Sequence, residues 1–174
     1  MRFRPFILIV TVIIAAGCQA PRYAPVDPRP DLAGKVVAIG DGDSITIMVD
    51  GRIEKRVRLF AIDAPEMNQP FGKQSKQNLS DLIYGRYVTI EVRGRDRYER
   101  FVGKVYLGEI DVNLEQIRSG FAWHYREFEN QQSSADRIAY RDAESAARDS
   151  RSGLWTDQSP EPPWRHRKDE RENR

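Results

Sequence analysis

The chain has 174 residues, 28 of them basic and 26 acidic, for a formal net charge of +2. That length holds one domain with residues left over for tails, and the near balance of charge excludes a strongly basic domain that coats nucleic acid. A single cysteine excludes a fold stapled by internal disulfides, so the domain relies on its core and on strand pairing.

Arg2 and Arg4 precede an apolar run over residues 6–16, broken only by Thr11, and small residues then lead to Cys18. The pattern predicts a secretory signal peptide over residues 1–17, too short for a helix crossing a hydrocarbon core that needs about 20 residues. Cys18 directly after Ala15-Ala16-Gly17 resembles a bacterial lipobox. That resemblance implies an exported lipoprotein, held to a membrane through lipidated Cys18 and facing the periplasm or the cell exterior. Gln19 in the next position leans towards an outer membrane. Ordinary cleavage near Ala20, releasing a soluble protein, is the alternative. Loss of Arg2 and Arg4 with the leader brings the mature chain close to neutral.

Residues 18–31 carry Pro21, Pro25, Pro28 and Pro30 and read as an extended tether. A folded domain is expected over residues 32–156. Residues 157–174, with Pro160, Pro162, Pro163 and a mixed-charge run, are expected to be a disordered tail.

Within the domain, residues 35–39 and 44–49 are rich in β-formers and flank Asp41-Gly42-Asp43, a tight bend. Asp50-Gly51 is a strong hairpin signal and returns the chain into a third strand over about residues 54–62. There Val57, Leu59 and Ala61 alternate with Arg56, Arg58 and Phe60, so Arg58 points away from one apolar face. A helix is expected over about residues 71–84, with Phe71, Ser75, Leu79, Leu82 and Ile83 on one side and Gly85 as its stop. Strands follow near residues 87–93 and 101–107. Asn113 and Gln116 have the spacing of a helix N-cap and its partner three residues on, and Gly120 ends that helix. A last helix over about residues 134–150 carries Ile138, Ala139, Ala143, Ala146 and Ala147 on its apolar side. Three strands, a helix, two strands and further helices is the order of an α+β five-stranded OB-fold barrel with C-terminal helices.

Three segments carry chemistry: Asp41-Gly42-Asp43-Ser44, the run from Arg58 to Asp63-Ala64-Pro65-Glu66, and Asp96-Arg97-Tyr98-Glu99-Arg100. Carboxylates set apart by single residues or by hairpins can hold a hard divalent cation, which prefers oxygen ligands. Two arginines can clamp a phosphate and stabilise the charge that builds during its displacement. A spare carboxylate, Glu66, can place or deprotonate a water. Asp41 reads as a brace of the turn. These are the parts of a metal-assisted nuclease.

In order, spacing and placement on the expected strands, these motifs resemble the staphylococcal-type thermonuclease family, from about Gly34 to the closing Gly153-Leu154-Trp155. The resemblance implies one calcium ion held by Asp43, Asp63 and the backbone carbonyl of Ala64. It further implies phosphate contacts from Arg58 and Arg100, a catalytic Glu66, and contacts to a terminal phosphate from Arg97 and Tyr98. The reaction it implies is in-line attack of water on a phosphodiester of single- or double-stranded DNA, or of RNA, leaving 3′-phosphorylated ends. Carboxylates are weak bases at neutral pH, so orienting the water is most of the role given to Glu66. The family usually has glycine where this chain has Glu99. If that position needs positive φ, glutamate is strained there, and its carboxylate stands beside Arg100.

Blander readings stand next to these. Arg86, Arg93, Arg95, Arg97, Arg100 and Lys104 form a basic stretch that either steers a polyanion or is the solvated face of a strand pair; the second is preferred. Phe121, Trp123, Tyr125 and Phe128 either stack bases or pack the core, which is again preferred. His124 and His166 receive no role. A non-catalytic OB-fold that binds nucleic acid is the rival reading, and the intact acid–arginine set argues against it.

Overall fold

The computed structural model describes residues 32–173. The leader, Cys18 and the tether fall outside these residues. The chain opens with three antiparallel strands, β1 (Leu32–Ile39), β2 (Ser44–Val49) and β3 (Ile53–Leu59), joined by the two expected turns. After β4 (Ile62–Asp63) and helix α1 (Gly72–Ile83) come β5 (Tyr87–Arg95) and β6 (Phe101–Leu107). A short β7 (Ile110–Asp111), helix α2 (Val112–Arg118), β8 (Trp123–His124), helix α3 (Ser134–Asp149) and helix α4 (Pro163–Glu172) complete the described chain.

The sheet order β3-β2-β1-β5-β6 closes on itself by parallel pairing of β3 with β6. This is the expected five-stranded barrel. Closure has a local consequence: Arg58 pairs in register with Val102, two residues after Arg100, so the two arginines are brought to one rim. Val36, Ile45, Ile47, Val57, Leu59, Val88, Ile90 and Val105 fill the interior, none more than 2% exposed, and Leu79, Ile83 and Ile117 seal it from the helices. Alternation with period two along each strand puts these residues on one face.

The third strand ends sooner than expected. Ala61 has φ of 59°, which breaks the ladder after Leu59 and sends residues 62–63 to pair with Trp123–His124 in a separate two-stranded sheet. Asp63 thus hangs from a different strand than Arg58. A second correction concerns α2. Asp111, not Asn113, is its N-cap, accepting from the Leu114 N–H at 3.0 Å. Asn113 is fully buried, where it accepts from Val105 N–H and donates to the Phe60 and Gly103 carbonyls. Gln116 is buried too and donates to the Gly42 carbonyl at 2.7 Å. Buried amides of this kind satisfy backbone groups the irregular loops leave open. The buried side of α3 is also rotated: Tyr140, Ala143, Glu144 and Ala147 face inward while Ile138 is exposed. Tyr140 is tolerated because its hydroxyl donates to Asp111 at 3.0 Å, and Glu144 because it accepts from His124 N–H.

The largest correction is at the C-terminus. Residues 157–174 are not a disordered tail as far as they are described, because α4 packs back onto the domain. Pro163 occupies the first turn of the helix, where its missing N–H costs nothing. Trp164 then joins the cluster of Trp123, Ala147, Leu154 and Trp155, with its ring centroid 5.6 Å from that of Trp123 and 5.4 Å from that of Tyr125.

Candidate active site

The acidic turn between β1 and β2 is built for close approach. A β-carbon on Gly42 would overlap Ser75 Oγ and the Ala64 side chain, so only glycine lets the turn sit against α1. Asp41 braces the turn as expected, accepting from Asp43 N–H at 3.1 Å. Asp43 points inward, 1% exposed, and accepts the Ala64 N–H at 2.7 Å. Gly72 serves the other side of the site: a β-carbon there would overlap the Glu66 carbonyl, so its absence lets α1 begin directly under Glu66.

Arg58 joins the two acidic segments. Its guanidinium binds Asp43 through one nitrogen and Asp63 Oδ1 at 2.7 Å through the other. Asp63 is fully buried. Burial pushes the Asp43 carboxyl well above the usual carboxylate range; Arg58 opposes this, while Asp41 and Asp63 add to it. Burial works against the charge on Arg58, but Asp43 and Asp63 outweigh it and hold Arg58 above its ordinary value. Among the described residues no three acidic, histidine or cysteine side chains converge as a metal cluster. The side-chain donors are the carboxylates of Asp43 and Asp63, hard oxygens that suit a calcium-type ion which completes its shell with water.

In front of these carboxylates lies a cavity of about 600 Å³ lined by Arg58, Glu66, Arg97, Tyr98, Arg100, Tyr125 and Arg167, among others. The third motif enters it as one turn. Asp96 accepts from the N–H groups of Tyr98 and Arg100 and from Arg100 Nε at 2.7 Å. Although burial acts to raise it, these bonds hold the Asp96 carboxyl below its usual value. Arg97 donates to the Tyr98 hydroxyl at 2.8 Å, and both are exposed at the cavity mouth. The structure thus brings together every expected catalytic and substrate residue. Ala64 lies beside Asp43.

Glu99 has φ of 59°, the left-handed conformation in which glycine is at ease. Its carboxylate does not compete for Arg100; it reaches Arg95 at 3.4 Å on the surface, and Asp96 holds Arg100 instead. Glu99→Gly should raise stability by about 1 kcal/mol by relieving the backbone, since an exposed pair contributes little. A thermal melt shows this as a midpoint higher by a few degrees, and an unchanged or lower midpoint would refute the strain.

The basic stretch is mostly paired internally. Arg93 meets Glu91, Arg95 meets Glu99, and Lys104 is buried between Asp111 at 3.1 Å and Asp136 at 2.7 Å. The preferred reading of a solvated strand face fits exposed Arg86, Arg93 and Arg95, whereas Lys104 is buried and Arg97 and Arg100 line the cavity. Of the aromatic run, Trp123 is core, while Tyr125 and Phe128 line the cavity. His124 is buried with Nε2 2.8 Å from Gln132 Oε1.

Sequence reasoning missed Arg167. It reaches in from α4 and donates to Asp63 Oδ1 at 3.1 Å, Asp63 Oδ2 at 2.8 Å and Glu66 Oε1 at 2.7 Å. Burial opposes its charge, yet Asp63 and Glu66 hold Arg167 above the ordinary value. Its only foreshadowing in the sequence is Pro162-Pro163-Trp164, a helix start followed by an aromatic anchor.

A closed five-stranded barrel with Arg58, Arg100 and Glu66 at one cavity beside buried carboxylates defines an OB-fold domain with an acid–arginine site. The family described as "Staphylococcal nuclease homologue" matches residues 56–157. A Haemophilus influenzae protein named "Uncharacterized endonuclease" is 40% identical over 139 residues, covering 80% of this chain and 75% of its own length. The "Micrococcal nuclease" of Shigella flexneri is 37% identical over 147 residues, covering 79% and 82%. "Protein ParB" of Escherichia coli is 35% identical over 153 residues, covering 83% and 84%. The chain belongs to the staphylococcal nuclease homologue family.

Proposed function

We propose that this chain is a calcium-dependent endonuclease that hydrolyses phosphodiester bonds of single- and double-stranded DNA, with RNA as a second substrate class, and leaves 3′-phosphorylated ends. The observation that carries the proposal is the convergence of Arg58, Glu66 and Arg100 on one cavity in front of the buried pair Asp43 and Asp63.

Calcium held by Asp43, Asp63 and the backbone of Ala64 would draw charge from the phosphoryl oxygens. The chain's own groups account for the rest. Arg58 and Arg100 are oriented by carboxylates behind them, so their remaining N–H groups are aimed before substrate arrives. Such preorganised donors stabilise charge on the equatorial oxygens as it develops. Glu66 orients the attacking water and takes its proton, the water oxygen bonds to phosphorus, and the P–O5′ bond breaks. The 5′-oxygen leaves with a proton from solvent. Arg97 and Tyr98 at the mouth meet the phosphate at a strand end, and Tyr125 offers a ring to an adjacent base. Reading phosphate rather than base edges gives little sequence preference.

We also propose export and membrane anchoring through lipidated Cys18, on the pattern of the leader alone. The substrate would then be nucleic acid outside the cytoplasm.

The ends of the products test the bond assignment. P–O5′ cleavage leaves 5′-hydroxyls that a polynucleotide kinase labels without prior phosphatase, and 3′-phosphates that block a polymerase until they are removed. Ends of the opposite polarity would refute it.

A further inference from the structure

Arg167 makes three hydrogen bonds to two of the carboxylates on which the proposed chemistry depends. Asp63 has no solvent exposure, and its two oxygens are taken by Arg58 and Arg167. Glu66, the water-orienting group, is tied to Arg167 as well. A hydrated cation cannot reach Asp63 while this guanidinium is in place, and a divalent charge at buried Asp63 would repel the guanidinium bonded to the same oxygens.

The rest of α4 holds on lightly. Pro163 is its one buried residue, and Trp164 is partly exposed against Tyr125 and Trp123. Asn68 donates to Glu170 at 2.7 Å on the surface, and His166 lies 3.3 Å from Asn68. Ion pairs and hydrogen bonds this exposed contribute little. Docking of α4 thus leans on Trp164 and on the bonds that a metal ion would break.

We propose that α4 is an autoinhibitory strap, in which Arg167 stands in for the cation on Asp63 and Glu66 until a divalent ion displaces it. Metal binding and strap release are one equilibrium. Only the strap-open fraction takes the ion, so the strap weakens apparent metal affinity by that fraction. Release also frees Glu66 for water and opens the inner end of the cavity. This rests on the reading of Asp43 and Asp63 as calcium ligands.

The test is calcium binding by calorimetry on the wild-type protein, Arg167→Gln and Trp164→Ala, with hydrogen exchange of residues 163–172 followed with and without calcium. Arg167→Gln removes the plug's charge while keeping its bulk. Trp164→Ala loosens the helix without touching a carboxylate. Both variants should bind calcium at least tenfold more tightly than wild type, and calcium should strip exchange protection from α4 in the wild type. Equal or weaker binding by both variants, with α4 protection indifferent to calcium, overturns the strap and leaves the metal reading standing. Binding by none of the three proteins overturns both readings together.

Discussion

Glu66→Gln is expected to lower the rate of DNA cleavage by about 10²–10⁴-fold, the range typical of losing a positioned acid–base group, with little change in stability. Glu66 sits at the cavity wall, a third exposed, where its side chain meets partly exposed Arg167; Gln69 braces the loop by accepting from the Glu66 backbone N–H rather than from its side chain. Glutamine keeps the shape and one acceptor oxygen but neither the charge nor the capacity to take a proton. The loss should fall on kcat, with substrate binding held by Arg58 and Arg100. Loss confined to KM would place Glu66 in substrate binding and remove it from the chemistry.

Arg58→Ala should be the most damaging single change, because Arg58 serves two ends at once. Its removal takes away a donor from the developing charge, worth about 10²–10³ in kcat. It also strips buried Asp43 of its cationic partner and leaves Asp63 with Arg167 alone, a loss of about 3–5 kcal/mol when a buried pair is broken from one side. Two signatures separate these effects. Arg58→Lys restores a charge but cannot fork to both Asp43 and Asp63, so it should recover part of the stability and little of the rate. Calcium should stabilise Arg58→Ala more than it stabilises wild type, since an ion bound to the folded state supplies the missing positive charge. Denaturant unfolding with and without calcium measures both. An Arg58→Ala protein as stable as wild type would mean that the acidic pocket does not need compensation.

The parts of the molecule that could be read from the sequence are those fixed by local rules. β1 to β3 follow from alternating apolar residues and from Asp-Gly turns, and closure of the barrel follows from burying one face of each strand. The placement of the expected site residues was legible because short turns hold them: Asp43 follows its glycine, and Arg100 is set by the bonds that Asp96 makes to its own turn. The break at Ala61 was not legible, because a positive φ on alanine has no local signature and is imposed by pairing of residues 62–63 with residues 123–124. Asn113 and Gln116 were mistaken for a capping pair because local spacing says nothing of a distant carbonyl that needs a donor. The misreading of α4 has the most weight for function. Ten charged and polar residues, 165–174, following a proline cluster and a tryptophan look solvated, yet here one arginine finds buried carboxylates of opposite charge and the tryptophan finds a rim of aromatic rings. Complementarity between segments about a hundred residues apart is invisible to composition.

Cleavage of single-stranded and duplex DNA by the purified protein, with calcium and with chelator and beside Glu66→Gln, is the decisive measurement for a calcium-dependent nuclease. Cutting is expected to require calcium and to collapse in the glutamine variant. A folded protein that binds single strands yet cuts neither substrate with calcium present would contradict the nuclease reading and leave a nucleic-acid-binding barrel in its place.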